Sequence, residues 1–256
     1  MAAARKSRAS GARDRELIVE PRGRCLSITL NRPRAGNRIN PAMARELLAL
    51  AERVEDDERL RMLALNGAGG VFCIGFEAGV DSRLVESIAA LAKPTLAIID
   101  GDVFDEGLEL ALALDIRIAA APARFAITQP RRGILPHFGA TQRLPRIVGA
   151  PRAMRMILTG TPIDGRAALA AGLVTELAAS RASLKRIAAE RIESILSRGP
   201  LAVRMAKEAV LKGYDMTLAQ GIRLEEDLYA LLQTTADRSE GVRAFLEKRK
   251  PLFKGA

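Results

Sequence analysis

One glutamate in the sequence, Glu109, has the surroundings that acid–base chemistry needs. An apolar strand predicted over residues 95–100 runs into a tight turn, Gly101 to Glu109, which opens a short apolar helix. The first turn of a helix presents free backbone N–H groups and the positive end of the helix dipole, so it can hold a developing oxyanion. Glu109 lies one turn inside this helix, within reach of a ligand at its N-terminus. A loop rich in glycine and proline, Gly133 to Ala140, and a second helix start follow.

The elements that must position these residues alternate along most of the chain. Strands, turns and helices follow one another to about Leu177, which predicts an α/β fold with mostly parallel strand pairing. Asn40 and Pro41 are typical of a helix N-cap and first helical position. Beyond Arg181 the strand signals stop. The predicted strands are Leu17–Glu20, Cys25–Leu30 (joined to the first by a turn over 21–23) and Met62–Leu65, and the predicted helices are 40–57, 82–92, 181–197, 200–212, 217–235 and 239–248.

The composition excludes several classes of protein. The chain has 256 residues, 48% hydrophobic and 27% charged, which is typical of a globular protein with one main domain. No apolar run reaches the roughly 18 residues that span a bilayer, so we expect no membrane segment. Two cysteines form no disulfide framework, and free thiols suit a reducing compartment, here predicted to be the cytoplasm. A single histidine and no Cys/His cluster predict that the chain holds no metal.

The net charge of +10 favours anionic partners, whether nucleic acid, an acidic membrane or a phosphorylated small molecule. Part of this excess lies in residues 1–15, which we interpret as a disordered basic tail. An organellar targeting peptide is the alternative for this segment.

A series of short motifs occurs in one order over nearly the whole chain, from Ile28 to Lys254. In this order and content they resemble the enoyl-CoA hydratase/isomerase (crotonase) superfamily. Each motif is weak alone, and together they are specific. The motifs are Thr29–Pro33 with Asn37, Phe72–Glu77, Lys93-Pro94, Gly101–Glu109, Asp115–Ala119, Gly133–Pro136, Thr141–Arg146, Gly172–Val174 and Phe245–Lys254.

The resemblance implies a fold, an assembly and a reaction. It implies a crotonase-like spiral of ββα units over residues 16–197 and a C-terminal helical region over 198–256 that forms a homotrimer or a dimer of trimers. The implied substrate is an acyl-CoA thioester, and the implied reaction is addition of water to a 2-enoyl-CoA, as in fatty acid metabolism. No cofactor is implied beyond the coenzyme A of the substrate. The alternatives are an enoyl-CoA isomerase, another crotonase-type lyase or hydrolase, and a non-catalytic member that binds CoA or RNA.

The resemblance also implies the catalytic groups. The backbone N–H groups of Phe76 and Glu106 match the oxyanion hole, in which each donor is typically worth about 10²–10³ in rate. Glu109 matches a catalytic carboxylate, and the alternative role for it is that of a capping acid near a helix N-terminus. Gln129 stands where hydratases carry a second glutamate. Because an amide cannot transfer a proton as an acid, we expect Gln129 to orient water or the acyl group, or to cap a strand end.

The pair Asp105-Glu106 replaces two glycines of the family pattern. A glutamate facing an oxyanion would repel it, so either the Glu106 side chain points away from the hole or the hole is damaged. Asp105 could cap the helix; in the alternative, Asp105 or Glu106 replaces the missing acid. His137 stands in a loop that borders the acyl pocket in the family, where it could relay a proton or be a bystander.

Basic residues near the motifs could bind the phosphates of CoA. The candidates are Arg32, Arg34 and, by resemblance, Lys248 with Phe245 from the C-terminal tail. Most of the 40 Lys and Arg are expected to form a solvated surface. One branch of the superfamily binds RNA through a lysine-rich helix, but the matching helix here, 40–58, is acidic towards its end, which argues against nucleic acid as a partner.

Overall fold

The strands form two sheets in a mixed α/β structure, known here from a computed structural model that describes residues 15–256. The predicted basic tail lies outside the described residues except for Arg15. The larger sheet has the strand order β1-β2-β3-β5-β7-β10, in which only the first pair is antiparallel. Its strands are β1 (Leu17–Arg22), β2 (Cys25–Leu30), β3 (Met62–Gly67), β5 (Thr95–Ile99), β7 (Ile116–Ala120) and β10 (Glu176–Ala178).

The smaller sheet has the order β4-β6-β8-β9, and three of its strands, β4, β6 and β8, each come directly after a strand of the larger sheet in the chain. Its members are short, and only the pair of β8 and β9 is antiparallel. They are β4 (Val71–Cys73), β6 (Asp102–Phe104), β8 (Arg124–Ala126) and β9 (Ile163–Asp164). Repeated passage from the first sheet to the second and then to a helix produces the predicted spiral of ββα units.

Alternate residues of the larger sheet enter two hydrophobic cores. Leu63 and Leu65 of β3 join the main core, whereas Met62 and Ala64 face the second core. Such alternation follows from the two-residue period of a strand. The helices of the α/β part are α1 (Pro41–Asp56), α2 (Arg83–Ala89), α3 (Glu106–Ala113), α4 (Ala140–Val148), α5 (Ala150–Thr159) and α6 (Gly165–Ala170).

The C-terminal part contains no strand among the described residues beyond Arg181, and its regular elements are all helices, as predicted. The helices are α7 (Arg181–Leu196), α8 (Pro200–Gly213), α9 (Leu218–Gln233) and α10 (Ala236–Leu246). Residues of α7, Leu184 among them, cover the second core. No helix in residues 15–256 is long and apolar enough to cross a membrane.

The structure corrects several sequence-based boundaries. The segment predicted as a turn from Gly101 to Glu109 contains strand β6, because residues 102–104 pair with both β4 and β8. Strand β1 continues to Arg22, so the turn after it begins at Gly23, whose φ of 60° suits glycine. Helix α2 is shorter than the predicted 82–92, and α10 begins earlier than the predicted 239 because Thr235 caps it by accepting from Arg238 N–H.

Candidate active site

The first element of the site is the extended segment that follows β4 and carries Phe76. Ile39 N–H donates to the Gly75 carbonyl (3.2 Å), and Glu77 N–H donates to the Ile39 carbonyl (2.8 Å). Successive N–H groups of an extended chain point to opposite sides, so the Phe76 N–H faces away from Ile39. It points instead towards the N-terminus of α3.

Helix α3 lies close to β4 because Gly107 has no side chain. A methyl group at Gly107 would lie 2.1 Å from the Cys73 carbonyl oxygen, far inside contact distance. Glu106 is the first residue of the helix, so its own N–H has no acceptor within α3. The two segments that were predicted to supply the oxyanion hole therefore meet at the start of α3.

The Glu109 carboxylate is fully buried and held by three uncharged donors. Its Oε1 accepts hydrogen bonds from Phe138 N–H (2.9 Å) and Ala140 N–H (3.0 Å), and its Oε2 accepts from Gln129 Nε2 (3.0 Å). The loop predicted over 133–140 thus places two backbone N–H groups on this carboxylate. Burial raises the pKa of Glu109, although the donors from Ala140, Gln129 and Phe138 act in the opposite direction.

Gln129 lies in a short 3₁₀ turn, Gln129–Arg132, and is also fully buried. Its Nε2 donates to Glu109 Oε2 and to Glu106 Oε1 (3.2 Å). The amide orientation is set by these two carboxylates, because the opposite orientation would place its oxygen against both. Gln129 Oε1 consequently points elsewhere, and it has no hydrogen-bond partner among the described residues.

Of the two alternatives for Glu106, the structure excludes the one in which its side chain points away from the predicted oxyanion hole. Glu106 Oε2 accepts a hydrogen bond from Phe76 N–H (3.2 Å), the donor that the resemblance assigns to the thioester oxygen. An arrangement of N–H groups that attracts an oxyanion also attracts an internal carboxylate, and the Gln129 amide adds a further donor. The side chain therefore folds back over the backbone that begins α3.

Asp105 does not cap helix α3 with its side chain, which corrects the second expectation for this pair. Asp105 has a φ of 51°, and its carboxylate, nearly buried, accepts from Thr128 N–H, from Thr128 Oγ1 and from Arg132 Nη2 (2.9 Å). The side chain thus fastens the turn that carries Gln129 to the start of α3. This arrangement gives Asp105 a positioning role.

Two phenylalanines form an apolar wall beside the carboxylates. The Phe76 and Phe138 rings meet edge to face at 5.1 Å between their centroids. His137 is exposed, and its ring lies 4.3 Å from that of Phe138. The structure records no hydrogen bond from the His137 side chain to any group among residues 15–256.

The residues that were predicted to bind CoA differ in their exposure and in their contacts. The Arg32 guanidinium is bound by Glu16 (3.0 Å) and Glu77 (2.6 Å), so its charge is already paired. Arg34 is exposed. Phe245 is 83% exposed and Lys248 has a φ of 52° just after α10. In the described part of the chain, neither hydrogen-bonds or stacks with the residues around Glu109.

Comparisons with known proteins agree with the geometry. The family model described as enoyl-CoA hydratase/isomerase matches residues 22–256. The chain belongs to this family. It is 38% identical over 248 residues to the human enoyl-CoA hydratase domain-containing protein 2, mitochondrial, covering 89% of this chain and 85% of that one. It is 37% identical over 244 residues to (E)-benzylidenesuccinyl-CoA hydratase of Thauera aromatica, covering 90% and 95% of the two chains.

Solved structures share the fold of this family member. The crystal structure of enoyl-CoA hydratase from Bacillus anthracis superimposes with a TM-score of 0.91 at 35% identity, covering 94% of this chain and all of that one. These findings confirm the predicted family and the crotonase-like fold.

Sequence reasoning missed one residue of the site, Arg38. A methyl group at Gly75, whose φ is 142°, would lie 2.7 Å from Arg38 Nη1 and 2.8 Å from Glu106 Oε2. The guanidinium thus stands beside the carboxylate that covers Phe76 N–H. The sequence did contain a signal for it, namely the unusual glutamate at position 106. An acidic residue at a predicted anion site indicates that a basic residue lies nearby.

Proposed function

We propose that the protein is an acyl-CoA enzyme that adds water to the double bond of a 2-enoyl-CoA thioester. One observation carries this proposal: the Glu109 carboxylate is buried, and the Gln129 amide links it to the Glu106 side chain, which accepts from Phe76 N–H. Membership of the enoyl-CoA hydratase/isomerase family supports the same chemistry. No redox cofactor or metal is needed for it, and coenzyme A enters as part of the substrate.

In the proposed reaction, Glu109 takes a proton from water while the water oxygen bonds to C3 of the enoyl group. The electron pair of the double bond moves into the thioester, and the resulting enolate oxygen is stabilised by the N–H groups of Phe76 and Glu106. Burial raises the pKa of Glu109, which makes its carboxylate a better base than an exposed one.

The second proton transfer must differ from one that uses two glutamates, because Gln129 has no acidic proton. We infer that Glu109 returns the proton it has taken from water to C2, so that a single carboxylate serves as base and then as acid. Gln129 orients this carboxylate through its Nε2. Its unpartnered Oε1 is available to accept a hydrogen bond from the attacking water.

A second candidate is a CoA-binding protein without turnover. The hydrogen bond between Glu106 Oε2 and Phe76 N–H favours it, since that carboxylate covers one oxyanion donor. A hydration assay with a short 2-enoyl-CoA separates the two candidates. The reaction is measured by the loss of absorbance of the conjugated thioester. Turnover by the parent and its absence in Glu109→Gln support the enzyme, whereas binding of the thioester without turnover supports the binding protein.

The acyl group is best found by a screen of CoA thioesters with short, long, cyclic and aromatic acyl chains. A ligand that binds only the native state raises its melting temperature, so a shift identifies the preferred class. Product analysis on that thioester then distinguishes hydration from double-bond migration. A flat response to every thioester would contradict the proposed function.

We also propose that the protein acts as a homotrimer or as a dimer of trimers. Large apolar side chains of the C-terminal helices stand exposed on the single chain, which is what a buried subunit interface would require. Mass measurement in solution tests this proposal, and a stable monomer would contradict it. The exposed side chains are Val210, Leu211, Tyr214, Leu218, Ile222, Tyr229 and Leu231.

A further inference from the structure

Glu106 and Arg38 carry opposite charges and lie near each other at the predicted oxyanion hole, and the water-addition mechanism uses neither side chain. Glu106 Oε2 accepts from Phe76 N–H, so the carboxylate occupies a donor that the thioester oxygen would need. Its Oε1 accepts from Gln129 Nε2, the same nitrogen that supports Glu109. A thioester oxygen cannot accept from Phe76 N–H while this carboxylate does.

We propose that Glu106 controls access to the oxyanion hole, and that Arg38 receives its carboxylate when the thioester enters. This inference rests on the proposed function, because it takes a CoA thioester to be the ligand of the site. Glu106 is a binding-determining residue here: the incoming oxygen must displace its carboxylate before the enolate can form.

The position of Arg38 makes the displacement feasible. Arg38 Nη1 and Glu106 Oε2 both lie within 2.8 Å of the same point above Gly75. No salt bridge joins them, and none joins Arg38 to another acidic group in residues 15–256. Rotation of the Glu106 side chain about its own bonds brings its carboxylate to the guanidinium. The absence of a side chain at Gly75 leaves the space for that movement.

The displacement lowers the affinity for every ligand that uses the hole. A ligand that binds only when Glu106 has moved has its affinity reduced by the fraction of molecules in that state. Glu106 also opposes the enolate directly, since two negative charges compete for the same donors. Removal of its carboxylate therefore strengthens binding of a thioester oxygen, and more so of an enolate oxygen.

The test measures the dissociation constants of three probes for the parent, Glu106→Gln and Glu106→Ala. The first probe is a 3-ketoacyl-CoA, which ionises to a stable enolate, and the second is a saturated acyl-CoA. The third is an S-alkyl-CoA thioether, which has the same CoA and chain but no carbonyl oxygen. It is the matched control, because its binding does not depend on the oxyanion hole.

We expect Glu106→Ala to bind the 3-ketoacyl-CoA about 10- to 100-fold more tightly than the parent, since hydrogen bonds to charged groups have that weight. Glu106→Gln keeps a side-chain oxygen but loses the charge, so its affinity for the 3-ketoacyl-CoA should lie between those of the parent and Glu106→Ala. Binding of the thioether should not change. Both substitutions stand at the first position of α3, where either residue is compatible with the helix, and melting temperatures confirm that the variants are folded.

Other outcomes overturn the inference. Equal affinity of parent and Glu106→Ala for the 3-ketoacyl-CoA would remove the role of Glu106, and so would an equal gain for the thioether. If the CoA probes bind to the parent and to both Glu106 variants with the same affinity, the proposed function survives while this inference fails. If no probe binds to any variant, both fail.

Arg38 is tested by a double-mutant cycle. Arg38→Gln in the parent should weaken binding of the 3-ketoacyl-CoA about two- to fivefold, because the displaced carboxylate loses its partner. In the Glu106→Ala background the same substitution should have no further effect on the enolate. An equal loss in both backgrounds would show that Arg38 acts on the ligand by itself and would overturn its part in the inference.

Discussion

Two glutamates of the chain, Glu109 and Glu240, are buried in opposite surroundings. Glu109 accepts hydrogen bonds only from uncharged groups, and burial raises its pKa. Glu240 accepts from the guanidinium groups of Arg249 and Arg243 and from Leu252 N–H, and these contacts lower its pKa. The comparison shows how surroundings assign a role: a carboxylate paired with cations anchors structure, and one held without cations remains a better base.

The Glu240 cluster has a clear structural purpose. Its bond to Leu252 N–H (2.8 Å) fixes the segment that follows α10. Asp237 continues this attachment by accepting from the N–H groups of Lys254 and Gly255. The last residues of the chain are therefore held against α10 by acidic side chains.

The largest expected effect is the loss of catalytic activity when Glu109, rather than Glu240, is replaced. Glu109→Gln should lower kcat for enoyl-CoA hydration about 10²- to 10⁴-fold, because the amide cannot take the proton from water. Because the pKa of Glu109 is raised in the folded protein, its ionised form destabilises the fold at pH values above the ordinary glutamate pKa. The melting temperature of the variant at pH 8 should therefore be no lower than that of the parent. Steady-state kinetics and thermal unfolding check both parts. A kcat within threefold of the parent would break the comparison.

A second prediction concerns the backbone that carries Glu109. Gly107→Ala should destabilise the fold by about 1–3 kcal/mol or more, because its methyl group would overlap the Cys73 carbonyl. Denaturant unfolding measures the loss. Gly221→Ala is the matched control, since a methyl group in α9 has no neighbour closer than 3.6 Å and alanine favours a helix. Equal stability of the two variants would contradict the close approach of α3 to β4.

A third prediction uses the donor that Glu109 shares with Glu106. The Gln129 amide lowers the pKa of Glu109, so Gln129→Ala should raise that pKa further. The acidic limb of the pH–rate profile should move to higher pH, and kcat should fall about tenfold as the carboxylate loses its orientation. An unchanged acidic limb would show that Glu109 is not the base whose ionisation controls the rate.

The smallest effect on activity is expected at the other member of the comparison. Glu240→Gln should leave kcat close to that of the parent and lower the melting temperature at pH 7. Because the pKa of Glu240 is lowered, its stabilisation is complete above the ordinary glutamate pKa of about 4.3 and is lost as the pH falls. The difference in melting temperature between parent and variant should therefore shrink in acid. A constant difference from pH 7 to pH 3 would contradict the ionic origin.

The sequence predicted the alternation of elements and the helical C-terminal part because hydrophobic periodicity and caps such as Asn40 are local signals. Strand β6 was missed because three residues carry too little periodicity, and its partners lie far away in the chain. Only the family resemblance predicted that Phe76, Glu109 and Gln129 lie at one site. The directions of the Glu106 and Asp105 side chains depend on donors from distant segments, which one sequence does not place.

Water addition by Glu109 is tested most directly by hydration of a 2-enoyl-CoA in water enriched in oxygen-18, followed by mass analysis of the thioester. The proposed mechanism predicts one oxygen-18 atom at C3 of a 3-hydroxyacyl-CoA formed by the parent, and none above background with Glu109→Gln. Equal incorporation by both proteins, or a product that has moved its double bond without gaining oxygen, would contradict it.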